Sequence, residues 1–359
     1  MSALTIDLKD LVAAYDPVAF ALVVFAVFLG AAFAGRLATG FVLTRLRRQD
    51  ILDHPNERSS HEAPTPRGGG WGILLVAFPI WIIGFTLSGM VEEGTFLMFG
   101  AALLAAVSWI DDLRTISAKH RLAVQIVAVL IGLIALAPFG PVTQGFLPLW
   151  ADRVLVAIAW LWFLNLYNFM DGIDGLAGVQ TTCVGAGIAA VIIGHPLLAI
   201  SLPTYAWMAA GMAGAAAGFL MLNWHPAKLF MGDVGSVPIG FLLAWMLFAL
   251  AASGHLLAAI ILPLYFCVDA TYTLLRRISQ GKRPWEAHRE HFYQRAVQRG
   301  LDHATVSYIV LFGNILLMLL AMASKQFGII CLAAAVLVVL GTILTMRLFP
   351  PQTTPPSGM

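Results

Sequence analysis

Eleven apolar blocks divide this chain, at about 18–42, 70–88, 96–110, 121–138, 154–169, 175–193, 198–222, 236–252, 255–275, 305–323 and 327–348. A helix crosses a bilayer in roughly 20 residues, and shorter blocks suffice where polar ends dip inward. The pattern predicts an all-α polytopic membrane protein of about eleven transmembrane helices. The polar stretches between blocks are then loops, and they alternate between two faces of the membrane. Residues 1–349 read as a single integral-membrane domain. The Pro/Thr-rich stretch 350–359 reads as a disordered tail.

Composition agrees, with 60% hydrophobic and 11% charged residues, against roughly a quarter charged in soluble chains. Met1 to Pro17 holds Asp7, Asp10 and Asp16 and no basic leader. The block 18–42 is therefore expected to span the membrane rather than to serve as a signal segment. Of 21 Lys and Arg, seventeen fall on one side of the alternation. Lys9, Arg153 and Lys325 fall on the other, and Arg36 lies within the first block. The richer side is expected to be cytoplasmic, which puts the N-terminus outside and the C-terminus inside. Cys183, Cys267 and Cys331 lie in apolar blocks and read as small buried hydrophobes. Trp81, Trp160 and Trp162 fit an interfacial belt.

Chemistry-bearing residues concentrate on that same side. Asn165-Leu-Tyr-Asn168-Phe-Met-Asp171-Gly-Ile-Asp174-Gly packs two amides, two carboxylates and two glycines between apolar blocks. Lipid does not tolerate such a load, so it is expected to face water, a metal or a charged ligand. Asp111, Asp112 and Asp233 join it. Crowded carboxylates repel unless a cation lies among them. Oxygen donors without a His/Cys cluster favour magnesium or manganese, and magnesium brings phosphate-bearing ligands with it. Phe230-Met-Gly232-Asp233-Val-Gly235-Ser236 frees the backbone around Asp233. Its following helix is expected to begin near Ser236 and to offer N–H groups to an anion. The last large loop carries Lys282, Arg283, His288, Arg289, His291 and Arg295, a set suited to a diphosphate. Arg58 and Arg67, in the first loop, are further phosphate candidates. Asp269 reads equally as a site residue or as a helix-packing carboxylate. His195, His255 and His303 read as interfacial histidines.

Asp-Asp, then Asn-x-x-Asn-x-x-Asp-Gly-x-Asp-Gly, then Phe-Met-Gly-Asp-x-Gly-Ser, then a His-rich final loop resembles the polyprenyl-phosphate N-acetylhexosamine-1-phosphate transferases. The likeness covers about 18 to 348. It implies transfer of sugar 1-phosphate from a UDP-N-acetylhexosamine to undecaprenyl phosphate, with magnesium as cofactor and UMP released. By resemblance, Asn168 and Asp233 contact the metal, Phe230 stacks on uracil and Asp174 contacts the nucleoside. Asp111 and Asp112 lie by the lipid phosphate. Asn165, Arg67, His288, Arg289 and His291 serve substrate binding. Asp111-Asp112 continues as Leu113-Arg114-Thr115, without the lysine of the peptidoglycan enzymes. The last loop reads His288-x-x-His291-x-Tyr293-Gln294 rather than a triple histidine. The departures imply a donor free of peptide, and the pattern His288-Arg289-x-His291-x-Tyr293-Gln294-Arg295 is most similar to the O-antigen-initiating members, which implies an inner-membrane enzyme of lipopolysaccharide biosynthesis. Membrane lipid is the expected surrounding, a homodimer is compatible, and no nucleic acid is expected.

Two mechanisms fit the sequence. In one, the lipid phosphate attacks the donor's β-phosphorus directly. In the other, a carboxylate, with Asp171 foremost, forms a sugar-phosphoryl enzyme. A transporter would need polar material on both faces, and the loops at 88–95, 138–152 and 194–197 offer little.

Overall fold

The computed structural model describes residues 15–53, 64–283 and 288–348. The tail 350–359 and the part of the first loop that holds Arg58 lie outside them. The helices are α1 (Pro17–Arg48), α2 (Gly70–Leu87), α3 (Val91–Leu113), α4 (Ala118–Leu136), α5 (Leu149–Phe169), α6 (Leu176–Ile193) and α7 (Pro196–Ser201). They continue as α8 (Pro203–Asn223), α9 (Asp233–Leu250), α10 (Leu256–Ile261), α11 (Leu264–Ser279), α12 (Phe292–Gln298), α13 (His303–Phe327) and α14 (Ile329–Leu348). A two-strand antiparallel ladder, β1 (Leu52–Asp53) with β2 (Thr65–Pro66), is the sole sheet among the described residues.

Ten stretches among the described residues are long and apolar enough to cross a membrane. That number takes Asp233–Ile261 as one stretch, but Gly254 at φ 88° interrupts it. At that point Gln144 Nε2 donates to Ala251 O (3.0 Å) and Lys325 Nζ to Gly254 O (3.1 Å). The His195 and His255 rings lie 4.6 Å apart there. All lie at the end of the bundle opposite Asp233. The chain therefore turns back at Gly254, and α10 and α11 in series make the return crossing, broken at Pro263. The block expected at 255–275 is thus two shorter helices.

The expected blocks 96–110 and 154–169 came out short for one reason: charged residues extend both helices. Glu92 and Glu93 occupy the first turn of α3, where the helix dipole favours anions. Asp152, in the first turn of α5, is fully buried. It accepts from Val142 N (3.3 Å), Thr143 N (2.7 Å) and Thr143 Oγ1 (2.8 Å).

Apolar exposure sorts inner from outer helices. Leu22, Phe25, Leu29, Phe33, Leu37 and Phe41 of α1 all point outward, a face suited to lipid and too apolar for water. At the centre, 94% of the residues in an apolar 18-residue part of Asp233–Ile261 are buried, against 17% in the corresponding part of α1. Around it pack α3 and α5, while the Ala- and Gly-rich α8 packs against α1 and α6; small residues let helices approach closely where no water drives them together. Trp81 and Trp160 are buried in this core rather than in a belt, because each indole N–H finds a carbonyl, Met208 O (3.1 Å) and Phe241 O (3.0 Å). Trp162 stays partly exposed and donates to Thr271 Oγ1. Cys183 and Cys331 are buried as expected.

Candidate active site

One face of the bundle gathers the loops that precede α2, α4, α6, α9 and α12. Two of them are stitched together. Phe230 N donates to Pro66 O (2.8 Å), Gly69 N to Phe230 O (2.8 Å) and Gly70 N to Met231 O (2.9 Å). The backbones of Gly70 and Gly235 nearly touch: a Cβ on Gly70 would lie 2.1 Å from the Gly235 Cα. This zipper carries Arg67 to Asp233. Arg67 Nε lies 2.9 Å from Asp112 Oδ1, and its Nη2 2.9 Å from Asp233 Oδ1. Burial opposes the Arg67 charge, but Asp112, Asp233 and Asp53 outweigh it and hold the guanidinium above its ordinary value.

Helix α9 begins at Asp233, three residues before the expected start. Gly232 takes φ 74°, a conformation that L side chains resist. The cap comes from another helix: Asp112 accepts from Asp233 N (3.1 Å) and Val234 N (2.9 Å). The free N–H groups at the head of α9 thus hold a protein carboxylate. Its neighbour Asp111 accepts from Ile116 N (2.7 Å) and from Arg121 (2.8 Å), and Arg121 also lies 3.4 Å from Asp233.

Asp171 differs from these. Among the described residues no hydrogen-bond donor reaches its carboxylate. Burial first, and Asp233 second, push it well above the ordinary carboxylate range. Asp111, Asp112, Asp171 and Asp233 face two guanidiniums, Arg67 and Arg121. With all four carboxylates ionised, the unmatched charge would equal that of one divalent cation. The donors are all oxygens, which fits a hard ion. Asp233, Asp171 and Asn168 are the oxygen donors that could hold one; Asn168 Oδ1 accepts from Ser236 Oγ at 2.5 Å.

A cavity of about 210 Å³ opens beside this cluster. Asp233, Arg121, Asn165 and Asn168 line its polar end, and Leu104, Leu122 and Val237 its apolar walls. Leu122 and Phe169, also on its lining, are exposed on the outside of the bundle. Asn165 Nδ2 donates to Gln125 Oε1 (2.9 Å) and Leu161 O (2.8 Å). Sequence reasoning missed Arg121 and Gln125. They recur four residues apart on α4, so they share one face of an otherwise apolar helix, and that spacing was the available signal.

The last loop is fastened from inside the bundle. Asp269 is fully buried and sits among five donors. These are Phe292 N (3.0 Å), Tyr293 N (3.4 Å), Tyr265 Oη (3.1 Å), Thr273 Oγ1 (3.3 Å) and His291 Nδ1 (3.3 Å). Tyr293 Oη then donates to Phe169 O (2.9 Å), which ties the loop to the helix that carries Asn165 and Asn168. His291 is buried and caps α12. His288 lies beside it, rings 4.8 Å apart; burial first, and His291 second, push it down to about 4, so it is a neutral imidazole. Arg289 shares the loop, its carbonyl accepting from Gln298 Nε2 (2.8 Å).

The structure therefore brings together Arg67, Asp111, Asp112, Asn165, Asn168, Asp171 and Asp233, with the backbone of Phe230 in the zipper beside Arg67. His288, Arg289 and His291 border this group through Tyr293. Asp174 turns elsewhere: it is buried, and its Oδ2 accepts from Ala227 N (3.1 Å) and lies 2.6 Å from His225 Nδ1. The two histidines His225 and His303 pull its carboxyl below the ordinary range, against the effect of burial.

Comparison with known proteins bears on residues 95–251, which match the model of glycosyl transferase family 4. The chain is 32% identical over 305 residues to the phospho-N-acetylmuramoyl-pentapeptide-transferase of Synechococcus sp. (strain JA-3-3Ab), covering 79% of this chain and 84% of that one. It is 29% identical over 306 residues to the probable undecaprenyl-phosphate N-acetylglucosaminyl 1-phosphate transferase of Bacillus subtilis (79% and 82% covered). It is 28% identical over 320 residues to the decaprenyl-phosphate N-acetylglucosaminephosphotransferase of Mycobacterium leprae (79% of each).

Proposed function

The chain belongs to the polyprenyl-phosphate N-acetylhexosamine-1-phosphate transferases, and we propose that it joins a peptide-free UDP-N-acetylhexosamine to undecaprenyl phosphate, releasing UMP. The product is a sugar-diphospho-undecaprenol that starts O-antigen or a related envelope polysaccharide. The observation that carries this reading is the cavity: apolar walls and a rim exposed on the outside of the bundle, with Arg121 and Asp233 at the polar end. A polyprenyl chain fits the walls, and a phosphate fits Arg121. The site face carries most of the basic residues, which favours a cytoplasmic site in a bacterial inner membrane.

Phosphoryl transfer needs positioning and charge neutralisation more than covalent help. A lipid phosphate oxygen attacks the donor's β-phosphorus. That bond forms as the bond to the UMP oxygen breaks, and the electron pair leaves with UMP. The lipid phosphate, a monoester with a second pKa of about 6, is already largely ionised at neutral pH, so no strong base is required. Arg121 orients it, and Arg67 holds Asp112 and Asp233 in register. Phe230 stacks on uracil, and His288 and Arg289 meet the diphosphate. Asp233, Asn168 and Asp171 would hold magnesium, or manganese in its place. When bound, the ion offsets charge on the diphosphate and on departing UMP. The lipid phosphate is thus itself the nucleophile, and we take direct attack over a sugar-phosphoryl enzyme formed at Asp171.

The test is a transfer assay with undecaprenyl phosphate and UDP-GlcNAc, UDP-GalNAc, UDP-FucNAc, UDP-QuiNAc and UDP-MurNAc-pentapeptide, each with and without magnesium. Metal-dependent UMP release with a peptide-free donor is the expected result. Turnover confined to the pentapeptide donor, or absent with every donor, defeats the reading.

A further inference from the structure

Four arginines gather where α12 meets the ends of α11 and α14. Tyr272 of α11 stacks on Phe292 of α12, with ring centroids 5.3 Å apart and 20° between the planes. Arg276 follows Tyr272 by four residues, and Arg295 follows Phe292 by three. Each arginine therefore lies about one helical turn from the stacked pair, on the same face of its helix. Arg347, in the last turn of α14, places its Cζ 4.9 Å from the centre of the Phe292 ring. Arg299, at the end of α12, stands one turn beyond Arg295.

The charge of this cluster is unmatched. Among the described residues, no ion pair joins Arg276, Arg295, Arg299 or Arg347 to a carboxylate. Glu290 acts on Arg295 from a distance, but Arg277 and Lys282 (Nζ, 2.8 Å) already hold it. Asp302 accepts from Thr305 N (2.5 Å). Partial burial first, and Arg276 second, lower the Arg295 guanidinium from its ordinary value, as expected of like charges held close. Apolar surface flanks the arginines: Tyr272, Leu275 and Ile278 of α11 and Leu344 and Leu348 of α14 are exposed. Lipid tails suit that surface, so headgroups lie level with the last turns of both helices.

A guanidinium meets phosphate oxygens through paired N–H donors, and basic pockets between membrane helices recruit anionic headgroups. We propose that Arg276, Arg295, Arg299 and Arg347 bind the phosphate headgroup of an anionic membrane lipid, on the lipid-facing side of the last loop and apart from the carboxylate cluster at Asp233. A zwitterionic headgroup brings its own cation and leaves the four charges unmatched. The bound headgroup ties α11, α12 and α14 together. Phe292 N also donates to Asp269 (3.0 Å), and His291 caps α12. The lipid therefore steadies the loop that carries His288 and Arg289.

The experiment titrates the full-length detergent-solubilised chain with phosphatidylglycerol, phosphatidylcholine or inorganic phosphate. It reads bound lipid by native mass spectrometry and backbone hydrogen exchange at 288–299. It needs no transferase activity, so its failure is distinct from failure of the proposed reaction. Saturable binding of phosphatidylglycerol is expected, at least about tenfold tighter than that of phosphatidylcholine, with slower exchange at 288–299. Affinity should fall about tenfold or more in the double variant Arg276→Gln/Arg347→Gln. It should stay unchanged in Arg47→Gln/Arg48→Gln, which removes the same charge from the exposed end of α1. Arg299 is exposed, so Arg299→Gln, also expected to weaken binding, keeps the test valid even where the first double variant folds poorly. Equal binding of phosphatidylcholine, equal loss in both double variants, or binding unaltered in Arg299→Gln overturns the proposal. So does slowed exchange with inorganic phosphate alone, or exchange unchanged with lipid bound.

Discussion

At the scale of single residues, Asp233 and Asp171 carry the sharpest expectations. Asp233 holds Arg67 and Arg121 and opens α9. Asp233→Asn should lower transfer more than about a hundredfold, the loss seen when one charge-stabilising group is removed from an active site. Near-normal turnover in a UMP-release assay would remove Asp233 from the metal centre. Asp171 has a folded-state pKa above its unfolded value, through burial and then Asp233. The stability tied to it is fully present below the unfolded pKa, near 4, and is lost as pH rises through the folded one. Asp171→Asn, which removes the charge, should therefore melt higher at neutral pH in magnesium-free buffer, by roughly 2 °C, while losing activity. A lower Tm would mean that the ionised carboxylate stabilises the fold. The identities of these residues were legible in the sequence because carboxylates beside lipid are conspicuous. Their partners were not: Asp174 faces His225 and His303, a pairing set by three segments distant in sequence.

At the scale of elements, two joints hold the site. Gly70 meets Gly235 where α2 and α9 begin. Gly70→Ala forces the two backbones apart, so it should abolish transfer and lower the yield of folded protein. A fully active Gly70→Ala enzyme would show that the zipper is dispensable. The other joint is Asp269, which the sequence left between a site role and a packing role. It touches the last loop at three points, His291 Nδ1, Phe292 N and Tyr293 N, and does not border the cavity, so it positions that loop. Asp269→Asn keeps one acceptor oxygen and should retain a measurable fraction of activity. Asp269→Ala should raise KM for the UDP-sugar by about tenfold or more and leave KM for the lipid little changed. Equal effects on both substrates in steady-state kinetics would mark a general loss of fold instead. Helix existence was readable from apolar block length. Helix ends were not, since Asp112 caps α9 across space and Asp152 extends α5 by burial.

At the scale of the whole molecule, the site face and the opposite face are chemically unlike. Lys228→Cys on the first and Lys325→Cys on the second should react with a membrane-impermeant thiol reagent from opposite sides, Lys228→Cys only in inverted vesicles. Labelling of both from one side would undo the assigned orientation. By itself the sequence determined the class of fold, the sidedness of the polar loops, the oxygen-rich character of the site and the family likeness. Each depends on composition and order along the chain: bilayer thickness sets block length, and short loops force alternation. Only the tertiary structure decided that Arg67 bridges Asp112 and Asp233, that Arg121 guards an apolar cavity, that Asp269 anchors the last loop, and that Asp174 faces two histidines rather than the carboxylate cluster. Those contacts join residues tens to more than a hundred positions apart. Their distances depend on how helices pack, and no local pattern in the chain encodes that.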